Sequence, residues 1–161
     1  MTKMHFFSFA VHGRVYIPVH FKPYGDTIMR AVHMKVDTGA DLTTLSKEKL
    51  YDLGYDSEWI KENAITGDKY NLITAAGDIE IVGLVQIPLV NILGYEADNW
   101  PFRIAMDEKR DFHNLLGRDL LAGFDYTFRN STAQFEISRN GNFTPLYDFI
   151  AGQSINETKT R

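Results

Sequence analysis

Cysteine is missing from the 161-residue chain, which excludes disulfides, thiolate nucleophiles, zinc ribbons and cysteine-held iron–sulfur clusters. Long apolar runs are missing too, and nothing approaches the roughly 20 uninterrupted apolar residues that a transmembrane helix needs. Positive charge is in deficit: 17 Lys and Arg against 21 Asp and Glu give a net charge of −4 and a pI near 5.7. Such a chain is poorly suited to gripping a phosphate backbone, so neither a nucleic-acid partner nor a membrane is expected. The opening residues Met1 to His5 lack the basic and apolar regions of a secretory signal, which points to a cytoplasmic location. Five histidines, His5, His12, His20, His33 and His113, show no His-Glu-x-x-His spacing, and no metal is expected. A phosphate-binding glycine loop and a Gly-x-Ser-x-Gly elbow are also lacking, so no cofactor is expected.

What is present is the composition of an ordinary folded protein, 44% hydrophobic and 24% charged, of a length that suits one domain. Most of the chain reads as strand. Val15, Ile17, Val19 and Phe21 alternate with polar or bulky neighbours, and Pro18 marks an edge strand or a bulge. Ile28, Val32, Met34 and Val36 make the apolar face of a second strand, which runs into Asp37-Thr38-Gly39. A helix is predicted from Lys47 to about Leu53, capped by Ser46, stapled by Leu45 and Leu50, and stopped by Gly54. Asn71–Ala76 and Ile79–Val90 read as a hairpin turning at Gly77-Asp78, with a bend or bulge at Gly83. Phe102, Ile104 and Met106 form another strand, and a charged loop runs from Asp107 to Asp111. Phe124–Phe128 and Ala133–Ile137 flank Asn130-Ser131 as a final hairpin. The expected class is mainly β, a small barrel or sandwich with one or two short helices.

The strongest chemical signal is Val36-Asp37-Thr38-Gly39-Ala40-Asp41. Alone it could be a strand ending in a polar turn, where Asp caps and Gly supplies a positive φ. A second element, Leu115-Leu116-Gly117-Arg118-Asp119-Leu120-Leu121, follows later in the chain. Together the two resemble the retropepsin-like aspartic peptidases, the retroviral protease family and its cellular and bacterial relatives. The resemblance runs in order from about Tyr16 to Ile137. It divides the chain into an N-terminal segment 1–14, a retropepsin-like peptidase domain 15–140 and a C-terminal extension 141–161. The fold it implies is a single-lobe closed β-barrel with a flap hairpin.

The chemistry suits those residue types. Hydrolysing a peptide bond without a metal or a covalent nucleophile requires a base to activate water and an acid to protonate the carbonyl oxygen. Two neighbouring carboxylates do both, because like charges cannot easily both ionise and the pair holds one proton between them. One chain carries one Asp-Thr-Gly, so the resemblance implies a two-fold homodimer in which Asp37 of each copy supplies half of the dyad. By the same resemblance Thr38 bonds across the dimer, and Gly39 lets a polypeptide substrate approach and accepts its N–H. Asp41 and Arg118 form a buried ion pair that braces the loop; a planar guanidinium suits that role. The surface alternative for that pair is worth under about 1 kcal/mol. Thr44 is read as a loop hydrogen-bonder. Ala40 has no hydroxyl to donate to the catalytic carboxylate, which places the activity optimum at about pH 5 to 6. Ala75, Ala76, Gly77 and Asp78 stand where the flap would be, and Gly39 and Asp41 join them as substrate-binding candidates. Ile81 and Leu84 are candidate subsite residues. The alternative function is a non-catalytic module that uses the fold for dimerisation or peptide binding. A third reading is a zymogen-like form whose terminal segments block the cleft.

Overall fold

A computed structural model describes residues 3–64, 69–74, 77–106 and 114–140, with the backbone alone for 69–74 and 77–83. The described residues form ten strands and three short helices. In chain order these are β1 (Met4–Ser8), β2 (Tyr16–Phe21), β3 (Arg30–Val36), β4 (Thr44–Ser46), α1 (Lys47–Asp52), α2 (Ser57–Asn63) and β5 (Lys69–Thr74). They continue with β6 (Gly77–Ile92), β7 (Tyr95–Ala105), β8 (Leu115–Leu116), α3 (Arg118–Leu121), β9 (Phe124–Arg129) and β10 (Gln134–Arg139).

Seven strands form one sheet in the order β2-β3-β8-β4-β7-β6-β5, and β2 also pairs with β6. Its buried side carries the period-two apolar pattern: Ile17, Val19 and Phe21 of β2 meet Val32 and Met34 of β3, with Leu45, Ile87, Phe102 and Ile104. Pro18 lies opposite His33 of β3, while the β6 pairing covers only Val19–Phe21, so the missing N–H falls outside that second ladder. A smaller sheet, β1-β10-β9, packs Phe124, Phe135 and Ile137 into the same core. The segment before Val15 thus supplies a strand, β1, that the sequence pattern did not announce.

Local signals set several boundaries. The Ser46 side chain accepts from Lys49 N at 3.2 Å, and past the C-cap Leu53 the chain leaves α1 at Gly54, whose φ is +88°. Gly83 falls at a register shift between Val82 and Leu84, the bulge that its position suggested. Leu93 (φ +50°) and Gly94 (φ +88°) make the tight turn between β6 and β7, both residues in the left-handed region that such turns require.

Other expectations need correction. Among the described residues helices number three, against one or two expected. The extra one, α2, follows Asp56, whose side chain caps Trp59 N at 2.8 Å. Ile28 precedes β3 and is 72% exposed, so it does not share the buried face of Val32 and Met34. The β5–β6 register pairs Thr74 with Gly77 and Ile73 with Asp78, which puts Gly77 and Asp78 inside the ladder. Ala75 and Ala76 lie outside the described residues, as do the charged stretch 107–113 and the extension 141–161. β7 begins seven residues before Phe102, at Tyr95.

Candidate active site

Two short segments, 37–43 and 114–119, are stitched together at the ends of parallel strands. β3 and β8 run side by side with Lys35 opposite Leu115 and Val36 opposite Leu116. Lys35 N donates to Asn114 O at 2.7 Å, and Asp37 N donates to Leu116 O at 3.0 Å. Asp37 therefore stands where the ladder ends and the chain turns, with its backbone fixed by the neighbouring strand. Buried Asn114 also ties this point to β4, because its Oδ1 accepts from Ser46 N at 2.8 Å.

Beyond Asp37 the chain turns tightly. Ala40 N donates to Asp37 O at 3.2 Å, and Gly39 N donates to Asp37 Oδ1 at 3.0 Å. A Cβ on Gly39 would sit 3.3 Å from that same carboxylate oxygen. Gly39 does not adopt a positive φ, so glycine serves close approach here, and the left-handed glycine of the plain polar-turn reading is absent. Thr38 and Gly39 are exposed at the tip of the turn, whereas Asp37, Ala40 and Asp41 are half-buried.

The loop then meets the start of α3. The first N–H groups of a helix lack partners within it. Here two of them donate to the loop: Arg118 N to Ala40 O at 2.8 Å and Asp119 N to Asp41 O at 3.2 Å. The Arg118 guanidinium also donates through Nη2 to Asp41 Oδ1. That ion pair was expected to be buried; in the single chain its side chains are 54% and 46% exposed.

A second tether, absent from the expected site residues, is fully buried. Asp119 Oδ1 accepts from Thr43 N at 3.0 Å and from Thr43 Oγ1 at 2.6 Å. Its Oδ2 accepts from Trp100 Nε1 of β7 at 3.3 Å. The Thr43 hydroxyl in turn accepts from Gly117 N at 3.0 Å, so this side chain holds the 114–119 segment at two points. Burial pushes the Asp119 carboxyl above the usual carboxylate range, and the hydrogen bonds from Thr43, Leu120 N and Trp100 pull against it. Gly117 is required by space: a Cβ there would lie 2.6 Å from Leu42 C and 2.8 Å from Leu42 O. The sequence offered a signal for this network, a carboxylate following Gly117-Arg118, but Thr43 and Trp100 were not visible as its partners. Thr44 bonds within the loop as expected, its hydroxyl donating to Leu42 O at 3.4 Å.

Gly77 and Asp78 begin β6, and Ala75 and Ala76 lie outside the described residues. Leu84 is buried in the core, and the Ile81 side chain lies outside what is described. Among the described residues no helix is long and apolar enough to cross a membrane. Nor, among them, do three His, Asp or Glu side chains gather as a metal site.

A retropepsin-like aspartic protease from Rickettsia conorii is similar in structure, with a TM-score of 0.53 and 20% identity over 86% of this chain and 93% of that one. It supports the fold. A retroviral protease-like domain of Ddi1 from Leishmania major gives a TM-score of 0.49 and 18% identity over 73% of this chain and 82% of that one. No curated protein matches. Residues 29–122, which hold both the 37–43 loop and the Gly117–Leu121 segment, match the family described as "gag-polyprotein putative aspartyl protease". The chain belongs to that family and has the mainly β, retropepsin-like fold.

Proposed function

We propose that the chain is one half of an aspartic endopeptidase, a homodimer that hydrolyses polypeptides through a water activated by Asp37 of each copy. The observation that carries this reading is the anchoring of the Asp37 turn. Its backbone is held by Leu116 O, and the following residues are stitched to the start of α3. The Asp37 carboxylate is held by Gly39 N. A rigid loop that presents a carboxylate beside an exposed Thr38-Gly39 tip is what a dyad on a two-fold axis needs.

Like charges brought together on that axis would share one proton, so one carboxyl acts as acid while the other acts as base. Thr38 would lock the two turns to each other, and the Gly39 carbonyl would accept a substrate N–H. The β5–β6 hairpin, including Ala75, Ala76, Gly77 and Asp78, would close over an extended substrate and exclude water. The pairing of β2 with both β3 and β6 supports a closed barrel beneath the site. Ala40 beside the turn offers no hydroxyl donor, which sets the optimum at about pH 5 to 6.

The test is cleavage of an unbiased peptide library between pH 3 and 7, with and without pepstatin, by wild type and Asp37→Asn. Cleavage by wild type alone, at equal dimer mass and blocked by pepstatin, is the expected result. Absence of cleavage across that range by dimeric wild type would reject the enzyme and leave a non-catalytic dimerisation or peptide-binding module.

A further inference from the structure

The smaller sheet has the order β1-β10-β9, and among the described residues no strand pairs with the outer edge of β9. An open edge is a row of backbone donors and acceptors that invites another strand. Proline, lysine and a bulge, the usual guards of such an edge, are absent from Phe124-Asp125-Tyr126-Thr127-Phe128-Arg129. Asp125, Thr127 and Arg129 are exposed and share one face, set by their partners Ser138, Glu136 and Gln134. Tyr126 and Phe128 lie on the other, with ring centres 5.7 and 4.7 Å from that of Phe135. Phe128 belongs to this aromatic cluster and is still 44% exposed.

This strand is complementary to itself. Two copies related by a two-fold axis normal to the sheet pair antiparallel. Facing side chains then point to the same side only if the axis passes beside a residue and not between two. An axis at Asp125 sets carboxylate against carboxylate. An axis at Tyr126 leaves Asp125 facing Thr127, and one at Phe128 leaves Arg129 facing Thr127. The axis at Thr127 sets Asp125 against Arg129 at both ends, with Tyr126 facing Phe128 on the apolar side. Opposite charges and aromatic rings directly across a strand pair stabilise it, and like charges there destabilise it. Within the chain Arg129 Nε donates to Glu136 Oε1 at 2.6 Å, and the guanidinium carries further N–H groups for a second carboxylate. β9 follows α3 after Ala122 and Gly123, so this edge is joined directly to the helix whose start holds the Asp37 loop.

We propose that two copies of the chain pair through β9, antiparallel and centred on Thr127, and that Asp125 and Arg129 select that partner and that register. Such an interface deepens the shared-site reading of Asp37 and rests on it, because the site is incomplete without the second copy. Main-chain bonds would join the two smaller sheets into one, and the two Asp125–Arg129 pairs would disfavour the other registers. Phe128 of each copy would lose its exposure against Tyr126 of the other.

The experiment measures the mass of the full chain in solution, by light scattering, for wild type, Asp125→Arg and Arg129→Asp. Wild type should be dimeric. Each variant alone sets like charges against each other at both ends of the strand pair and should weaken dimerisation at least about tenfold. Mixed in equal amounts, the two variants regain both opposite-charge pairs and should form a one-to-one heterodimer. Its appearance only on mixing also shows that both variants fold. Monomeric wild type, dimers undiminished in both variants, or no heterodimer on mixing would each overturn the proposal. Mass is read apart from cleavage, so a dimer that obeys these charges and cleaves nothing rejects the peptidase reading alone.

Discussion

Arg118 and Asp119 are neighbours in sequence, and each ties the start of α3 to the loop that begins at Asp37, yet the two tethers are built differently. Arg118 pairs with Asp41 across a half-exposed surface, where solvent weakens the attraction and two side chains must be ordered to keep it. Asp119 is wholly buried and accepts from Thr43 twice and from Trp100 once. The ion pair carries more formal charge on display, and the buried carboxylate carries more consequence. Remove one partner of a buried network and the donors left behind have no water to turn to. The surface pair contributes little to holding the single chain together; its value would rise only where a second copy covered it.

The sharpest way to break this comparison is Asp119→Ala, which leaves Thr43 N, Thr43 Oγ1 and Trp100 Nε1 without their acceptor. Chemical denaturation should show a loss of about 3 kcal/mol. Gly117→Ala comes next. Its Cβ would meet the Leu42 backbone, which cannot swing aside as a side chain would, and about 2 kcal/mol should be lost in the same measurement.

A third variant, Asp119→Asn, keeps the shape and removes the charge. Because folding raises the Asp119 pKa, the native state binds that proton more tightly than the unfolded chain does. This residue's contribution to stability therefore falls as pH rises from the unfolded value, about 4, toward the native one. The stability–pH curve of Asp119→Asn should fall less steeply over that window than the wild-type curve. Parallel curves would show that the buried carboxyl does not titrate with folding. The smallest effect is expected at the surface tether, where Asp41→Asn or Arg118→Gln should each change the stability of the single chain by under about 1 kcal/mol. A larger loss there than at Asp119 would invert the comparison.

Much of this arrangement was legible in the sequence because its residues lie close together in the chain. Asp37-Thr38-Gly39-Ala40-Asp41 follows an apolar strand, and Leu115–Leu121 has a pattern of its own, so both loops could be anticipated, whereas the Asp41–Arg118 pair, 77 residues apart, was expected only through the family resemblance. Asp119 was harder to read. Its partners sit 76 and 19 residues away, and nothing local in Thr43 or Trp100 marks them as donors to a buried acid. The first half of β7 escaped for a different reason. Tyr95 to Trp100 interrupts the alternation with Asp98 and Asn99 side by side, and Asn99 takes a φ of +52°. The strand there is held by pairing with β6. At the β5–β6 hairpin the Gly77-Asp78 turn signal lost to the register, which pairs both residues with β5. Glycine and aspartate favour turns, but here the ladder pairing overrides that local preference.

The central claim is that two copies of Asp37 make one site. Its most direct test is to refold wild type together with Asp37→Asn in equal amounts, so that subunits pair at random, and to measure peptide cleavage per total dimer. If each site needs a carboxylate from both chains, only doubly wild-type dimers cleave, and activity should fall to about one quarter of the all-wild-type value. Activity of about one half would mean that each chain carries a complete site, and would contradict the shared dyad.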